Sequence, residues 1–127
     1  MPGLPPSFNT RLVSRTSGVD RVVDEFVVSF NHSVEMQWIL PGIAPTNRNV
    51  EIAMVSVVAV KGGKLVHEHV YWDQASVLMQ IGALDPNNVP KQLKEKGCEK
   101  LPVVGREASM KLLDPDAVPA NDLLDDW

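Results

Sequence analysis

Residues 62–82, GGKLVHEHVYWDQASVLMQIG, decide which fold this chain can adopt. The two glycines supply the positive φ angles of a tight hairpin, and residues 65–72 alternate as a returning strand does. After Asp73 the apolar residues recur at helical spacing, so the period changes from two to 3.6. The stretch therefore predicts a hairpin, a strand, Asp73 as a helix N-cap, and a helix that ends at Asp85-Pro86.

The segment before this hairpin predicts further strands. Residues 19–40, VDRVVDEFVVSFNHSVEMQWIL, alternate so that Phe26, Phe30 and Trp38 share one apolar face. Residues 50–60 are apolar at both parities, as in a central strand that is covered on two sides. Together these patterns predict a single α+β domain, with a curved antiparallel sheet and few short helices. Its expected divisions are a domain over 1–127, an irregular lead-in over 1–10, a surface excursion over 86–103 and a loose tail over 114–127.

Composition narrows the expected partners and compartment. The chain has 127 residues and a net charge of −4 without a run of lysine or arginine, so nucleic acid is not expected. No apolar stretch approaches the ~20 residues of a membrane span, and no secretory signal is readable. The single cysteine, Cys98, cannot form an internal disulfide. These features favour a cytoplasmic protein that has no membrane partner.

Titratable residues share one parity of the returning strand. His67, His69, Tyr71 and Asp73 have odd parity, whereas Val66, Glu68, Val70 and Trp72 have even parity, and an aspartate in an apolar pocket is suited to general acid/base chemistry. The alternative is that Asp73 is only a helix cap and the histidines are solvated. His32 has the apolar parity of its strand, where a histidine is more often a core residue than a catalyst.

A metal site is a weaker hypothesis. The spacing His67-x-His69-x3-Asp73 is similar to the metal-binding half-motif of cupins, with His32 as the one remaining histidine. A cupin would continue in strand after this motif, whereas the residues after Asp73 predict a helix. We therefore expect no metal and no other cofactor.

Residues 11–86, and more loosely LPVVGREASMKLLDP over 101–115, resemble the SnoaL-like branch of the nuclear transport factor 2-like superfamily. Within that branch the chain is similar to a fungal and bacterial group placed beside the carboxymethylenebutenolidases, and 62–82 is the most specific part. The resemblance implies a cone-shaped α+β barrel. It also implies that an aspartate at this strand end, here Asp73, is a cofactor-free general acid/base on a polyketide-type substrate. Group members begin with helices that close the cone, whereas here a proline-rich segment precedes the first strand.

The resemblance and the strand patterns together predict a cofactor-independent cyclase, isomerase or hydrolase that acts on a hydrophobic, carbonyl-bearing small molecule. Asp73 would move the proton, and His69 or His32 would stabilise the developing oxyanion. The expected walls of the substrate site are Phe26, Phe30, Trp38, Met54 and Tyr71. The alternative is a non-catalytic small-molecule-binding or dimeric assembly domain on the same scaffold. A homodimer packed through the outer sheet face is expected, because residues 50–60 are apolar on both faces.

Overall fold

The computed structural model describes residues 3–114, which form one sheet and three short helices. The elements in chain order are β1 (Asn9–Ser17), β2 (Arg21–Asn31), β3 (Asn49–Lys61), β4 (Lys64–Trp72), α1 (Gln74–Gln80), α2 (Lys91–Glu95) and α3 (Glu107–Leu113). The strands pair antiparallel in the order β1-β2-β3-β4, so strands adjacent in sequence are also adjacent in the sheet. The predicted class, α+β with a curved antiparallel sheet and few short helices, is confirmed.

The core lies on one face of the two central strands. Their register sets Phe26 opposite Met54, and residues that face each other across an antiparallel pair project to the same side of the sheet. The same face continues through the next pairs toward the end of the sheet. The buried cluster on this side comprises Val28, Phe30, Met36, Ile39, Leu40, Val50, Ile52, Met54, Val77 and Ile81.

The prediction of one strand through residue 40 is wrong beyond Asn31. There the chain leaves the sheet, and the Leu40 amide donates to the Met36 carbonyl at 2.7 Å in a compact turn. Met36 and Leu40 are fully buried over the end of the sheet. The apolar residues at 36, 39 and 40 have the spacing of a helical turn. Residues 36 and 40 also continue the even parity of the strand, but this agreement is a coincidence.

The described part of the lead-in, residues 3–8, contains no helix or strand, but it packs against the core. Leu4 and Phe8 are partly buried and pack against the core cluster. The Phe8 ring lies 6.2 Å from the Phe30 ring in a stacked arrangement. Apolar side chains next to an exposed core edge gain free energy by covering it, whatever the backbone conformation.

The switch from strand to helix at Asp73 is confirmed, although the helix ends earlier than predicted. α1 stops at Gln80, and Gly82 follows it with a φ of 83°. The Ala83 amide then donates to the Leu78 carbonyl at 2.9 Å, as in a glycine-terminated helix end. Glycine thus ends the helix before Asp85-Pro86 is reached.

The outer face of β3 is partly covered within one copy of the chain. α3 contacts β3 and β2, and Ala108 and Leu112 of α3 border the same groove as Ala53 and Val55. The apolar residues that suggested a face-packed dimer therefore have an intramolecular neighbour. The predicted tail falls on Pro115–Trp127, outside the described residues. Within residues 3–114 no helix is long and apolar enough to cross a membrane.

Candidate functional site

The three predicted catalytic residues do not converge. His69 is opposite Val57 of β3, whereas His32 follows Asn31, which is opposite Asn49. Eight positions of an extended strand separate these two rows, a distance of about 26 Å along the sheet. A small substrate cannot contact both histidines. Asp73 lies four positions beyond His69, or about 13 Å along the strand.

The titratable face of β4 is opposite the core. His69 shares its face with Val57, and Tyr71 shares its face with Val55, on the side away from the Phe26–Met54 row. The expectation that these residues line one cavity with Phe30 is therefore wrong. The alternation in β4 is regular from His67 to Trp72, and Trp72, on the other face, packs against the core cluster.

Asp73 occupies the N-cap that its position predicted. Its backbone is extended, with φ −92° and ψ 101°, and its Oδ1 accepts from the amides of Ala75 at 3.1 Å and Ser76 at 3.4 Å. The residue is exposed. This placement matches the alternative of a helix cap, and it does not provide the water-poor surroundings expected for a buried acid/base.

His32 has the surroundings of a core residue. It is completely buried, and its Nδ1 accepts from the Thr46 amide at 3.2 Å and lies 3.0 Å from Thr46 Oγ1. Nε2 has no hydrogen-bond partner among residues 3–114. Burial lowers the pKa of this imidazole, because the charged form loses its hydration. The neutral ring therefore stabilises the loop before β3 rather than facing a cavity.

The predicted aromatic and apolar walls separate into two groups. Phe26, Phe30 and Met54 belong to the core or pack against it, with Phe30 and Met54 almost completely buried. Trp38 is 38% exposed and contacts Trp72 edge-on at 6.1 Å, while Tyr71 is 59% exposed. These five side chains do not enclose one pocket. Tyr71 borders a different pocket.

That pocket is an open groove of about 530 Å³ between α3 and the end of β4. We call it the α3 groove, and its lining consists of Glu25, Ala53, Met54, Val55, Tyr71, Trp72, Asp73, Ala108, Lys111 and Leu112. Two predicted site residues, Tyr71 and Asp73, are exposed at this groove, whereas Met54 borders it from the core face and is 2% exposed. Sequence reasoning missed the α3 residues, although the spacing of Ala108 and Leu112 by one helical turn was a usable signal.

A second cleft of about 360 Å³ lies at the other end of the sheet. Its polar side chains are largely paired with one another: Asn31 Nδ2 donates to Asn49 Oδ1 at 3.0 Å, and Arg106 bonds Glu51 at 2.9 Å. The Gln80 side chain also bonds the backbone of Glu51 at both its amide and its carbonyl. The polar groups of this cleft thus form hydrogen bonds within the protein rather than with a ligand. The α3 groove is therefore the better site for an apolar ligand.

Residues 3–114 contain no group of three or more His, Cys, Asp or Glu side chains placed to hold a metal ion. The predicted half-motif is therefore not completed within the described part of one copy. His67 and His69 stand side by side on exposed β4, with ring centroids 5.2 Å apart.

Comparison with known proteins establishes the fold. No protein-family model and no curated protein matches the chain. Among solved structures, TsrD from Streptomyces laurentii is similar with a TM-score of 0.54 and 17% identity. AclR from Streptomyces galilaeus, described as a candidate hydroxylase, is similar with a TM-score of 0.52 and 23% identity. Each match covers 61% of this chain and 55% of the other, so the chain matches about half the length of these structures.

Proposed function

We propose that the chain is a SnoaL-like domain that binds an apolar, carbonyl-bearing small molecule in the α3 groove. The observation that carries this proposal is that Tyr71 and Asp73 border one groove together with the apolar residues Ala53, Val55 and Leu112. The resemblance of residues 62–82 to SnoaL-like proteins and the similar fold of TsrD and AclR support it. Mostly apolar walls with a few polar groups are typical of small-molecule sites.

The lining favours a neutral ligand with a hydrogen-bond acceptor. Ala53, Val55 and Leu112 provide apolar contact, and the Tyr71 hydroxyl can donate to a carbonyl oxygen. The lining also carries two carboxylates, Asp73 and Glu25, and one ammonium group, Lys111, and this net negative charge disfavours an anion. Ser14 Oγ donates to Glu25 at 2.7 Å and so restrains this part of the rim.

Binding is favoured over catalysis because one predicted catalytic residue, not three, borders the groove. Asp73 is exposed, and it is the sole carboxylate that the resemblance links to chemistry. General acid/base catalysis by Asp73 alone is the second candidate, favoured by its place on the groove rim. Both hydrogen bonds that it accepts within residues 3–114 end on Oδ1, so Oδ2 remains available to a ligand proton.

The binding proposal is tested with 2-tetralone, a neutral aromatic ketone. Amide chemical shifts should change at Tyr71, Ala108 and Leu112 as the ketone is added. Tyr71→Ala should weaken binding by roughly 5- to 10-fold, since it removes about 1 kcal/mol or more of contact. Leu65→Ala is the matched control, because Leu65 is an exposed apolar residue of the same strand outside the groove. Shift changes confined to the second cleft, or equal effects of both variants, would reject the proposal.

The enzyme candidate is tested by following exchange of the α-protons of 2-tetralone in heavy water. A base that removes and returns an α-proton accelerates this exchange above the buffer rate. Asp73→Asn should then reduce the exchange by roughly 10²-fold or more while the helix cap is retained. A parent protein that binds the ketone without accelerating exchange is a binding domain for this class of ligand.

A further inference from the structure

β4 is an edge of the sheet that residues 3–114 form. Within this part of the chain it has a hydrogen-bonded neighbour on one side alone, and residues 64–71 are exposed along their whole length. Four of them are large and apolar: Leu65, Val66, Val70 and Tyr71. Exposed edge strands of this kind pair with another chain unless charge, proline or irregular geometry prevents it.

The opposite edge strand, β1, is better protected than β4 against pairing with another chain. The register of β1 is broken near its middle, between Leu12 and Ser14, and this strand carries two arginines and no carboxylate. In β4 the irregularity lies nearer the first end, at Val66 between Leu65 and His67, and the strand carries one lysine and one glutamate. Self-pairing therefore meets less charge repulsion and less distortion at β4.

We propose that β4 pairs antiparallel with β4 of a second copy, and that the paired strands bind one divalent transition-metal ion through four imidazoles. A two-fold axis at Glu68 gives the register in which apolar residues face one another. It sets Val66 opposite Val70, and His67 opposite His69 of the other copy. A shift by two residues sets Val66 opposite Glu68 and so loses this apolar pair.

The two glutamates on the axis do not prevent this register. Glu68 projects to the face opposite the histidines, because neighbouring residues of a strand alternate. Its carboxylate accepts a hydrogen bond from Ser56 Oγ of its own β3 at 3.0 Å. The carboxylate is thereby held over β3 and away from the second copy.

The histidines supply the metal ligands. Their rings lie on one face with centroids 5.2 Å apart and an interplanar angle of 28°. Pairing adds two more imidazoles at cross-strand Cβ distances of about 4.5–5.5 Å. Exposed side chains can rotate to bring four ring nitrogens to the about 2.0–2.1 Å that zinc requires. One copy offers two of these ligands, so the site is incomplete without the second.

Imidazole also determines the class of metal. Zinc, copper and nickel bind imidazole well, whereas magnesium and calcium prefer oxygen ligands. The site proposed is thus distinct from a cupin-type site in one copy, and it does not depend on the α3 groove.

Sedimentation velocity at micromolar protein, with zinc chloride or with a chelator, tests the proposal. Zinc should lower the apparent dimer dissociation constant at least tenfold and saturate at one ion per two chains. His67→Gln and His69→Gln should each abolish the response to zinc. Val66→Lys should weaken the dimer, because it places a charge in the apolar part of the new strand pair, and Leu12→Lys on the other edge is its control.

Amide hydrogen exchange locates the interface, and β4 amides should gain protection in zinc. A protein that stays monomeric with and without zinc rejects the proposal. Binding of one zinc per chain without association also rejects it, as does a dimer that neither zinc nor Val66→Lys affects.

Discussion

Asp73 joins β4 to α1, and one side chain there serves both the fold and the proposed groove. Its carboxylate accepts from the first free amides of α1, which would otherwise lack partners. The same residue borders the groove with Tyr71. A short polar side chain at a change of period is a local signal, so the sequence predicted this cap correctly. Its role toward a ligand depends on the groove and stays a proposal.

The cap predicts different outcomes for two substitutions. Asp73→Ala should lower the free energy of unfolding by about 1 kcal/mol, whereas Asp73→Asn should change it little, because asparagine caps as well as aspartate. Urea denaturation followed by circular dichroism measures both. Asp20→Ala, at another exposed aspartate, is the control. Equal losses from the two Asp73 variants would contradict a capping role.

His32 predicts a pH dependence of stability. Burial lowers its pKa in the folded protein below the ordinary 6.5, so the unfolded chain binds more protons between these two values. The free energy of unfolding should therefore fall as pH drops below about 6.5, by at most about 1.4 kcal/mol per pH unit. Above that pH the contribution of His32 should be constant.

Urea denaturation at pH 7.5, 6.5 and 5.5 measures this slope. His32→Asn keeps an acceptor for the Thr46 amide but cannot take up a proton, so its slope should be smaller. The hypothesis fails if parent and variant lose stability equally over this range.

Among the elements, α1 is the one whose ends are most sharply defined by single residues. Gly82 follows its last turn at a φ of 83°, a conformation that glycine adopts without strain. A Cβ at this position would lie 3.4 Å from the Arg48 guanidinium carbon. The end of the helix is therefore specified both by backbone conformation and by a close neighbour.

Gly82→Ala should cost about 1–2 kcal/mol of the free energy of unfolding, the usual penalty of a left-handed conformation for an L-residue. Gly105→Ala is the matched control. Gly105 is buried but lies outside the set of positive-φ glycines, and a Cβ there would make contacts of 3.5 Å or more. Thermal unfolding of both variants measures the loss of stability. A larger loss for Gly105→Ala than for Gly82→Ala would contradict the role of the positive φ at Gly82.

At the scale of the whole molecule, α3 covers part of the sheet face that lies opposite the core. It packs against β2 and β3 on the side opposite the core cluster and forms one wall of the α3 groove. Arg106, just before the helix, bonds Glu51 of β3 at 2.9 Å. The outer face of the sheet therefore has a partner in the same copy over part of its area.

Leu112→Asp should detach α3 without unfolding the sheet, because it places a charge in the apolar groove that Ala53 and Val55 also line. Amide exchange of residues 107–113 should accelerate, while that of β2 and β3 stays slow. Leu93→Asp in α2 is the control, since Leu93 is 44% exposed and the charge meets water. Loss of protection across the whole sheet would show instead that α3 and the sheet unfold as one unit.

The sequence by itself determined the features that depend on neighbours in the chain. The glycines at 62 and 63 specify the hairpin, and the period change at Asp73 specifies where β4 gives way to α1. These signals work at short range, because turn conformation and capping depend on a few adjacent residues.

Only the tertiary structure decided which face of each strand meets the core. Alternation in β4 shows two faces but not which one is inside, and the register with β3 placed His69 and Tyr71 outside. The same applies to His32, whose parity continued from β2 although the chain had already left the sheet. The convergence of Tyr71, Asp73 and Leu112 depends on the packing of α3 across the sheet. No local pattern encodes that packing, because it arises from burial between segments distant in the chain.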